Sequence, residues 1–288
     1  MNPIASVIIP AHNEQHVIVR CLETLLRGAA PGELEVVVVA NACGDATADL
    51  VRRVGHGVRL IETPVGSKSN AINLGEKAVS AFPKLVLDAD IRLTVRSVRR
   101  LVGHMNRTGV PVASPRMTVD AAGATAAVRA FYRVWLTLPY FDTAIGGGVY
   151  ALSRAGQLRV GPLPRITADD AFVRLRFQPH ERAVVHDCTF TVSTPRALGD
   201  LIKIKTRSRR GNLQLVSIQA DVQRDDAPAN RVHLLRLALR PKSWPALGIY
   251  LYVVAVTFVL AHWRHALGAH HIWERDNSSR QRIAGDIL

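Results

Sequence analysis

Apolar runs alternate with stretches of helical periodicity through the first 90 residues. The runs typical of buried strands are residues 4–9, 35–40, 58–61 and 85–87. Helical spacing of apolar residues lies between them, at Val17 to Leu26, Thr47 to Val54 and within 66–81. Strands that alternate with helices predict an α/β fold with a mostly parallel sheet flanked by helices. The first run is too short for a secretory signal and is interpreted as a strand that Pro10 stops.

Polar turns follow three of the predicted strands. These turns are Pro10 to Glu14, Asn41 to Asp45 and Asp88 to Asp90. In open α/β sheets, ligands bind outside the carboxyl ends of the strands. We therefore expect one crevice to collect all three turns.

Two carboxylates, Asp88 and Asp90, end the fourth predicted strand. On an extended backbone, residues i and i+2 point to the same side. Paired carboxylates suit a hard divalent cation such as Mg²⁺ or Mn²⁺, which neutralises a phosphate leaving group. The alternative is an acidic, solvated turn with no ligand.

The middle of the chain has a less regular pattern. It predicts helices from Val95 to Met105 and from Ala121 to Leu136, and a strand from Val149 to Leu152. Three glycines, Gly146 to Gly148, precede that strand. An acidic pair, Asp169 and Asp170, opens a helix that ends near Leu175, where first-turn acids suit the helix dipole.

Composition narrows the classes of partner. The 288 residues carry a formal net charge of +14, with a pI near 10.6, so an anionic partner is expected. Aromatic residues make up only 6% and do not interleave with bases, which argues against nucleic acid. Three widely spaced cysteines without a CxxC pair argue against a disulfide scaffold and fit a reducing compartment.

The last third combines positive charge with an apolar run. Residues 196–242 hold eleven bases and four acids, an excess of seven. Residues 244–261 then carry no charge, and Trp244, Trp263 and Arg264 resemble interfacial anchors. We predict a helix that contacts an anionic membrane, either across it or along it. A buried helix is the alternative.

The order of the motifs resembles family 2 glycosyltransferases of the GT-A fold. The resemblance covers roughly residues 4–212 and rests on seven stretches: 7–14, 39–47, 66–75, 87–90, 146–148, 169–170 and 205–210. It implies a GT-A domain over 1–212, with a basic and apolar helical appendage over 213–288. The implied partners are a nucleotide-sugar donor and a glycan or lipid-linked acceptor.

The resemblance also assigns donor-binding residues. The turn of Pro10, Ala11, Asn13 and Glu14 would hold the nucleoside, with Asn13 as a helix cap in the alternative interpretation. Asn41 stands where the family often has an Asp that binds the base, so uracil, guanine and thymine all stay open. Lys68 would meet a phosphate or the base, or would be a solvated surface lysine.

The metal and the catalytic groups follow from the same resemblance. Asp90 would bind Mg²⁺ or Mn²⁺, and Asp88 would lie closer to the sugar or ribose. Asp170 matches the general base that deprotonates the acceptor hydroxyl, and Asp169 would orient it. The alternative role of this acidic pair is to interact with the helix dipole alone.

Two further sets are implied less directly by the resemblance. Gly147 and Gly148 would let the backbone approach the acceptor, unless the loop is merely flexible. Arg207, Arg209 and Arg210 stand where the family often has Gln-x-x-Arg-Trp, with Thr206 in place of the Gln and Arg210 in place of the Trp. They would clamp pyrophosphate, or alternatively lipid headgroups.

These assignments predict an inverting, metal-dependent glycosyltransferase. We expect it on the cytoplasmic side of the cell membrane, in cell-surface polysaccharide or glycolipid synthesis, and without nucleic acid. The alternatives are a nucleotidyltransferase, a membrane-bound protein that binds nucleotide sugars without turnover and, third, a nucleic-acid-binding protein.

Overall fold

The structure is a computed structural model that describes residues 2–55, 57–143, 145–218 and 227–266. The first strands and helices alternate as the sequence predicts. They are β1 (Ala5–Ala11), α1 (Ile18–Leu26), β2 (Leu34–Asn41), α2 (Thr47–Val54), β3 (Val58–Thr63), α3 (Lys68–Ala78) and β4 (Lys84–Leu87).

The remaining elements include two long strands. They are β5 (Arg92–Leu93), α4 (Val95–Thr108), β6 (Val112–Asp120), α5 (Ala126–Trp135), α6 (Tyr140–Thr143), β7 (Val149–Leu152), α7 (Arg154–Val160), α8 (Asp169–Leu175), β8 (Arg182–Ser193), α9 (Leu198–Ile218), α10 (Ala227–Ala238) and α11 (Trp244–Ala266).

The sheet is mixed, with the strand order β3-β2-β1-β4-β7-β6-β8-β5. The first four strands pair in parallel, as predicted. β7 joins β4 in the antiparallel sense, with Leu87 opposite Val149. This pairing brings the turn after β4 beside the glycines that precede β7.

The prediction that Pro10 ends the first strand is wrong, because β1 continues to Ala11 with Pro10 opposite Val39 of β2. The amide of Ser6 donates to Pro83, on the β4 side of β1, and alternate residues face the same way. The nitrogen of Pro10 therefore faces the β4 side, where the β4 ladder ends opposite Ile8. A missing N–H breaks no ladder bond there.

The predicted helix from Ala121 is wrong at its start. β6 runs to Asp120, and α5 begins only at Ala126. Asp120 accepts a hydrogen bond from the amide of Ala122, and Gly123 has a φ of +76°, so residues 120–124 form a turn. The alanine-rich composition favours a helix, but the left-handed glycine interrupts it.

Helix α3 packs closely against the sheet at Gly75. A Cβ atom at this position would overlap Ile8 of β1, and Val39 of β2 lies 3.4 Å from the same point. Ile8, Val37, Val39 and Ala71 are buried together there. This contact fixes α3, which carries Lys68 in its first turn.

The chain divides into two compact units. The first unit holds residues 1–118 and 144–192, and the second holds 119–143 and 193–288. Residue 212, the predicted domain boundary, lies within the continuous helix α9. The division into a 1–212 catalytic domain and a 213–288 appendage stays a prediction, and part of that appendage lies outside the described residues.

In the second unit, the predicted apolar helix exists as α11. The stretch Pro241–Arg264 is long and apolar enough to cross a membrane. One side of α11 packs against α5 and α9, and the ring of Tyr250 stacks on Phe131 with 5.5 Å between centroids.

Lys205 of α9 lies among aromatic rings in the second unit. Its ammonium is 3.2 Å from the ring centroid of Trp135 and 5.4 Å from that of Phe131. Burial lowers the pKa of Lys205 to about 7. The ring faces favour the charged form and offset part of this effect.

We expect Lys205→Met to stabilise the protein by about 2 kcal/mol at pH 7, the burial cost less the lost cation–π contacts. Between about pH 7 and pH 10 the unfolded chain holds a proton on Lys205 that the folded chain lacks, so wild-type stability rises with pH. The variant should lose this rise. Urea unfolding at several pH values measures both effects, with Lys203→Met, an exposed lysine of the same helix, as the control. Equal pH slopes in wild type and Lys205→Met would contradict the prediction.

Candidate functional site

The candidate site is built around the turn that follows β4. The amide of Asp88 donates to the carbonyl of Gly148 at 2.8 Å, and the amide of Ile91 donates back to the carbonyl of Asp88 at 3.1 Å. Asp88 and Asp90 are both half-buried. The short turn thus holds both carboxylates at the carboxyl end of a fully buried strand.

Lys68 joins two of the predicted acidic residues. Its ammonium lies 2.7 Å from Oδ1 of Asp88 and 2.8 Å from Oδ1 of Asp169. The side chain of Lys68 is 21% exposed, which excludes the alternative of a solvated surface lysine. Ser67 caps α3 through the amide of Asn70 and so fixes the helix start that presents Lys68.

Burial and charge shift the pKa values of this group together. Burial disfavours the charge on Lys68, but the carboxylates of Asp169, Asp88 and Asp170 outweigh it and raise the pKa of the ammonium. Burial raises the pKa of Asp88 to about 6 and also raises that of Asp169, while Lys68 opposes both shifts. Lys68 therefore lowers the pKa of both carboxylates against the effect of burial.

The two side chains of the acidic pair at the start of α8 lie in different environments. Asp169 is 2% exposed, and its Oδ2 has no hydrogen-bond partner among the described residues. Asp170 is half-buried, and its Oδ2 and Oδ1 accept hydrogen bonds from the amides of Gly147 and Ala171 at 3.0 and 2.7 Å. Asp169 faces Lys68, whereas Asp170 faces the glycine loop.

The glycine loop contacts the acidic residues from the other side. All three glycines have positive φ, +139° at Gly146, +76° at Gly147 and +95° at Gly148. A Cβ at Gly146 would lie 2.7 Å from Oδ2 of Asp170, and one at Gly148 would lie 2.8 Å from Oδ2 of Asp88. The loop is therefore a fitted wall of the site, and the alternative of a merely flexible loop is not supported.

We expect Gly148→Ala to displace Asp88 and to lower both stability and activity. The added Cβ meets Oδ2 of Asp88 and also Cδ1 of Ile91 at 2.5 Å, in a conformation that alanine rarely adopts. Gly109→Ala is the matched control, because Gly109 has a φ of +70° and no atom within 4 Å of the added Cβ. Urea unfolding should show the Gly148 variant about 2 kcal/mol less stable than the control. Equal losses would contradict the prediction.

Asn73 of α3 positions the loop before α8, a role to which the sequence pointed only through its place in the 66–75 stretch. Its side-chain amide donates to the carbonyl of Leu163 at 2.9 Å, and its Oδ1 accepts from the amide of the same residue at 2.9 Å. Lys68 and Asn73 thus tie α3 to the segment that carries Asp169 and Asp170. These two hydrogen bonds clamp residues that are 90 positions apart, and no sequence pattern predicts such a long-range contact.

The turns after β1 and β2 are joined by hydrogen bonds. The side-chain amide of Asn41 donates to the carbonyl of Ala11 at 2.7 Å, and the ring of His12 donates to the carbonyl of Asn41 at 2.6 Å. Asn41 is buried, and its side-chain amide is already used in a hydrogen bond that stabilises the fold. Pro10 and Ala11 end β1 at this point.

The alternative role of Asn13 as a helix cap is wrong. Asn13 has a φ of +52°, and its Oδ1 accepts from the amide of Gly44 at 2.7 Å, whereas α1 begins after Val17 without a side-chain cap. Glu14 is 8% exposed, and its amide donates to the hydroxyl of Thr47. The two turns, residues 10–14 and 41–45, thus form one polar surface at the carboxyl ends of β1 and β2, which we call the polar ledge.

The arginines of the last motif belong to α9 in the second unit. The guanidinium of Arg209 lies 5.4 Å from the ring centroid of Phe258. Arg207 and Arg210 are half-buried on the same helix. Their predicted contact with pyrophosphate stays a prediction.

Comparison with solved structures identifies the fold. The mannosyltransferase PcManGT from Pyrobaculum calidifontis, in complex with GDP-Man and Mn²⁺, is 18% identical over 93% of this chain and 80% of its own, with a TM-score of 0.58. The S. aureus TarS 1–349 in complex with UDP-GlcNAc is 12% identical over 95% and 94%, with a TM-score of 0.55.

A third structure is the glucosyl-3-phosphoglycerate synthase from Mycobacterium tuberculosis, in complex with Mn²⁺, UDP-Glc and glycerol 3-phosphate. It is 20% identical over 74% of this chain and 79% of its own, with a TM-score of 0.51. The fold is therefore the α/β fold of GT-A glycosyltransferases, as the sequence predicts.

Sequence comparison identifies the family. None of the curated proteins matches the chain by sequence. Residues 6–148 match the model of the family described as "Glycosyl transferase family 2". This segment includes all but the first residue of β1, the strands β2 to β4, the acidic turn and the glycine loop. The chain therefore belongs to glycosyltransferase family 2.

Proposed function

We propose that the chain transfers a hexosyl group from a nucleoside diphosphate sugar to an acceptor hydroxyl, with inversion at the anomeric carbon. The observation that carries the proposal is the cluster in which Asp88 and Asp169 flank the ammonium of Lys68. Asp170 lies at the edge of this cluster, held by Gly147. Family membership supplies the reaction class, and these residues supply the chemical groups.

Asp90 is the proposed ligand of a divalent cation, Mg²⁺ or Mn²⁺, and Asp88 would lie closer to the sugar or ribose. Their hard carboxylate oxygens interact at the end of β4, and Mg²⁺ is usually held by one or two carboxylates together with substrate phosphates. The described residues contain no group of three or more His, Cys, Asp or Glu side chains that could hold a metal, so donor phosphates would complete the coordination. A bound cation supplies positive charge for the leaving diphosphate.

Asp170 is the proposed general base. Two backbone amides fix its carboxylate, which is more accessible than that of Asp169. Asp170 would take the proton of the acceptor hydroxyl as the hydroxyl oxygen attacks the anomeric carbon. One direct displacement inverts that carbon. Asp169 would act through Lys68 by holding the ammonium in place.

The donor would lie along the polar ledge formed by the first two turns. Pro10 and Ala11 would let the nucleoside approach the backbone, and Glu14 and Asn13 would bind ribose or base. Asn41 would bind the base through the side-chain donor and acceptor positions that its hydrogen bond to Ala11 does not use. Lys68 would bind the donor phosphates next to Asp88.

The acceptor would approach from the glycine loop, beside Gly147 and Gly148. We propose a glycan or lipid-linked acceptor in cell-surface polysaccharide or glycolipid synthesis, and a location on the cytoplasmic face of the membrane. The apolar helix and the net charge of +14 support contact with a membrane. Arg207, Arg209 and Arg210 would add positive charge for pyrophosphate or for headgroups.

A donor screen tests the proposal. The purified protein is heated with UDP-, GDP- and dTDP-sugars, with and without Mn²⁺, because a ligand that binds the native state raises the melting temperature. We expect one nucleotide class to raise it only with metal, and the same donor to release nucleoside diphosphate when membranes are added. Stabilisation without any release would instead favour a binding protein, and the absence of both would reject the proposal.

A further inference from the structure

The second unit exposes an apolar stripe along α11. Ala246, Leu247, Tyr250, Val253 and Ala261 are buried on one side of this helix. The opposite side is exposed from Trp244 to Trp263, and its large members are Trp244, Leu251, Tyr252, Phe258, Val259 and Trp263. These positions recur at helical spacing and fall on one face. The stripe is about 29 Å long at 1.5 Å per residue.

Helix α10 carries a second apolar stripe, flanked by bases. Val232, Leu235 and Leu239 are exposed, the last at 83%. Arg231 and Arg236 border them on the two sides of the helix, and Arg240 and Lys242 follow, all exposed. An apolar face between basic residues is typical of helices that lie in the headgroup region of a bilayer. The indole of Trp244 donates to the carbonyl of Ala238, so the two stripes adjoin.

The packed side of α11 argues against a helix that crosses the membrane. α11 packs against α5 and α9, and its residues between Ala246 and Val254 belong to the apolar cluster that the three helices share. These helices carry exposed or half-buried bases, Arg129 and Arg133 on α5 and Lys203, Arg207 and Arg210 on α9. If α11 crossed the bilayer, these bases would enter the hydrocarbon, where charged side chains are strongly disfavoured.

We infer that α10 and α11 bind an anionic bilayer surface, with α11 parallel to the membrane plane and its exposed stripe inserted at the headgroup boundary. The partner is a lipid surface because the stripes are continuous and uncharged, and it is anionic because the flanking residues are basic. The inference deepens the proposed membrane location but does not depend on sugar transfer.

Vesicle binding tests the surface. The full chain is sedimented with phosphatidylcholine vesicles and with vesicles that also contain phosphatidylglycerol. We expect binding only to the anionic vesicles, and weaker binding at high salt. Each base near such a surface contributes roughly a fivefold factor. Replacing Arg231, Arg236, Arg240 and Lys242 by glutamine should therefore weaken binding by about 10²-fold or more.

Matched variants distinguish the loss of this membrane-binding surface from a general effect of net charge or hydrophobicity. Replacing Arg53, Lys77, Arg96 and Arg107, which are exposed on the first unit, makes the same change in net charge and should leave binding near wild type. Phe258→Gln should weaken binding, whereas Leu158→Gln, at an exposed leucine of the first unit, should not. Equal effects of the two charge sets, or equal binding to neutral vesicles, would overturn the inference.

Topology tests the orientation. The chain with a tag after Leu288 is expressed in bacterial cells, and inside-out membrane vesicles are treated with protease. A helix along the surface leaves the tag and the first unit on the same side, so both are digested. A protected tag would show that α11 crosses the membrane and would overturn the inference. Neither readout needs turnover, so a failed donor screen leaves this result standing.

Discussion

Asp170→Asn should abolish most sugar transfer while donor binding stays intact. The asparagine keeps one oxygen that can accept the amide hydrogen of Gly147, so the loop stays in place, although the bond from the amide of Ala171 is lost. It cannot accept the proton of the acceptor hydroxyl. Loss of a general base typically lowers kcat by 10²- to 10⁴-fold, and we expect a loss in this range. Release of nucleoside diphosphate in the presence of acceptor membranes measures it.

Two controls make this result specific. Asp187→Asn removes an exposed carboxylate on β8 and should leave kcat unchanged. The donor-dependent rise in melting temperature should be the same in wild type and Asp170→Asn, because the predicted donor contacts do not include Asp170. An Asp170→Asn enzyme with wild-type kcat would reject Asp170 as the base. Loss of donor stabilisation would instead indicate a role in binding.

The α/β order of the first unit could be read from the sequence because buried parallel strands are continuous apolar runs. β1 to β4 and their helices therefore appear almost where predicted. β6 and β8 could not be read because their burial changes along the strand: β6 is buried at Val112 to Pro115 and half-exposed from Met117 onward. Their pairing is long-range, and no local signal records it.

The sequence predicts which residues belong to the candidate site, but it does not predict which of them contact one another. Asp88 and Asp90 follow a strand, where the pattern predicts a ligand crevice, whereas the family resemblance alone assigned Asp169 and Asp170 to the site. The ion pairs of Lys68 depend on the close packing of α3 at Gly75 and on the clamp between Asn73 and Leu163. A lysine after a turn looks the same in sequence whether solvent or two carboxylates surround it.

Lys68→Met should destabilise the protein by about 3 kcal/mol. The variant leaves the carboxylates of Asp88 and Asp169 without the ammonium that now lies within 2.8 Å of both. Removing one partner of a buried ion pair typically costs 3–5 kcal/mol, and the partial exposure of Lys68 and Asp88 places the expected loss at the lower end of that range. Urea unfolding measures the loss, and Lys68→Arg, which keeps the charge, should lose much less.

The pH dependence of this loss identifies its cause. Without Lys68, the pKa of the buried Asp169 should rise further, because the ammonium is the group that lowers it. A raised pKa in the folded state means that the folded variant holds a proton that the unfolded chain releases above about pH 4, so the variant loses stability as pH rises. The gap between wild type and Lys68→Met should therefore narrow on acidification. Adding Asp169→Asn to Lys68→Met should recover part of the loss at neutral pH. A gap that is independent of pH, with no recovery in the double variant, would show that Lys68 contributes packing rather than charge.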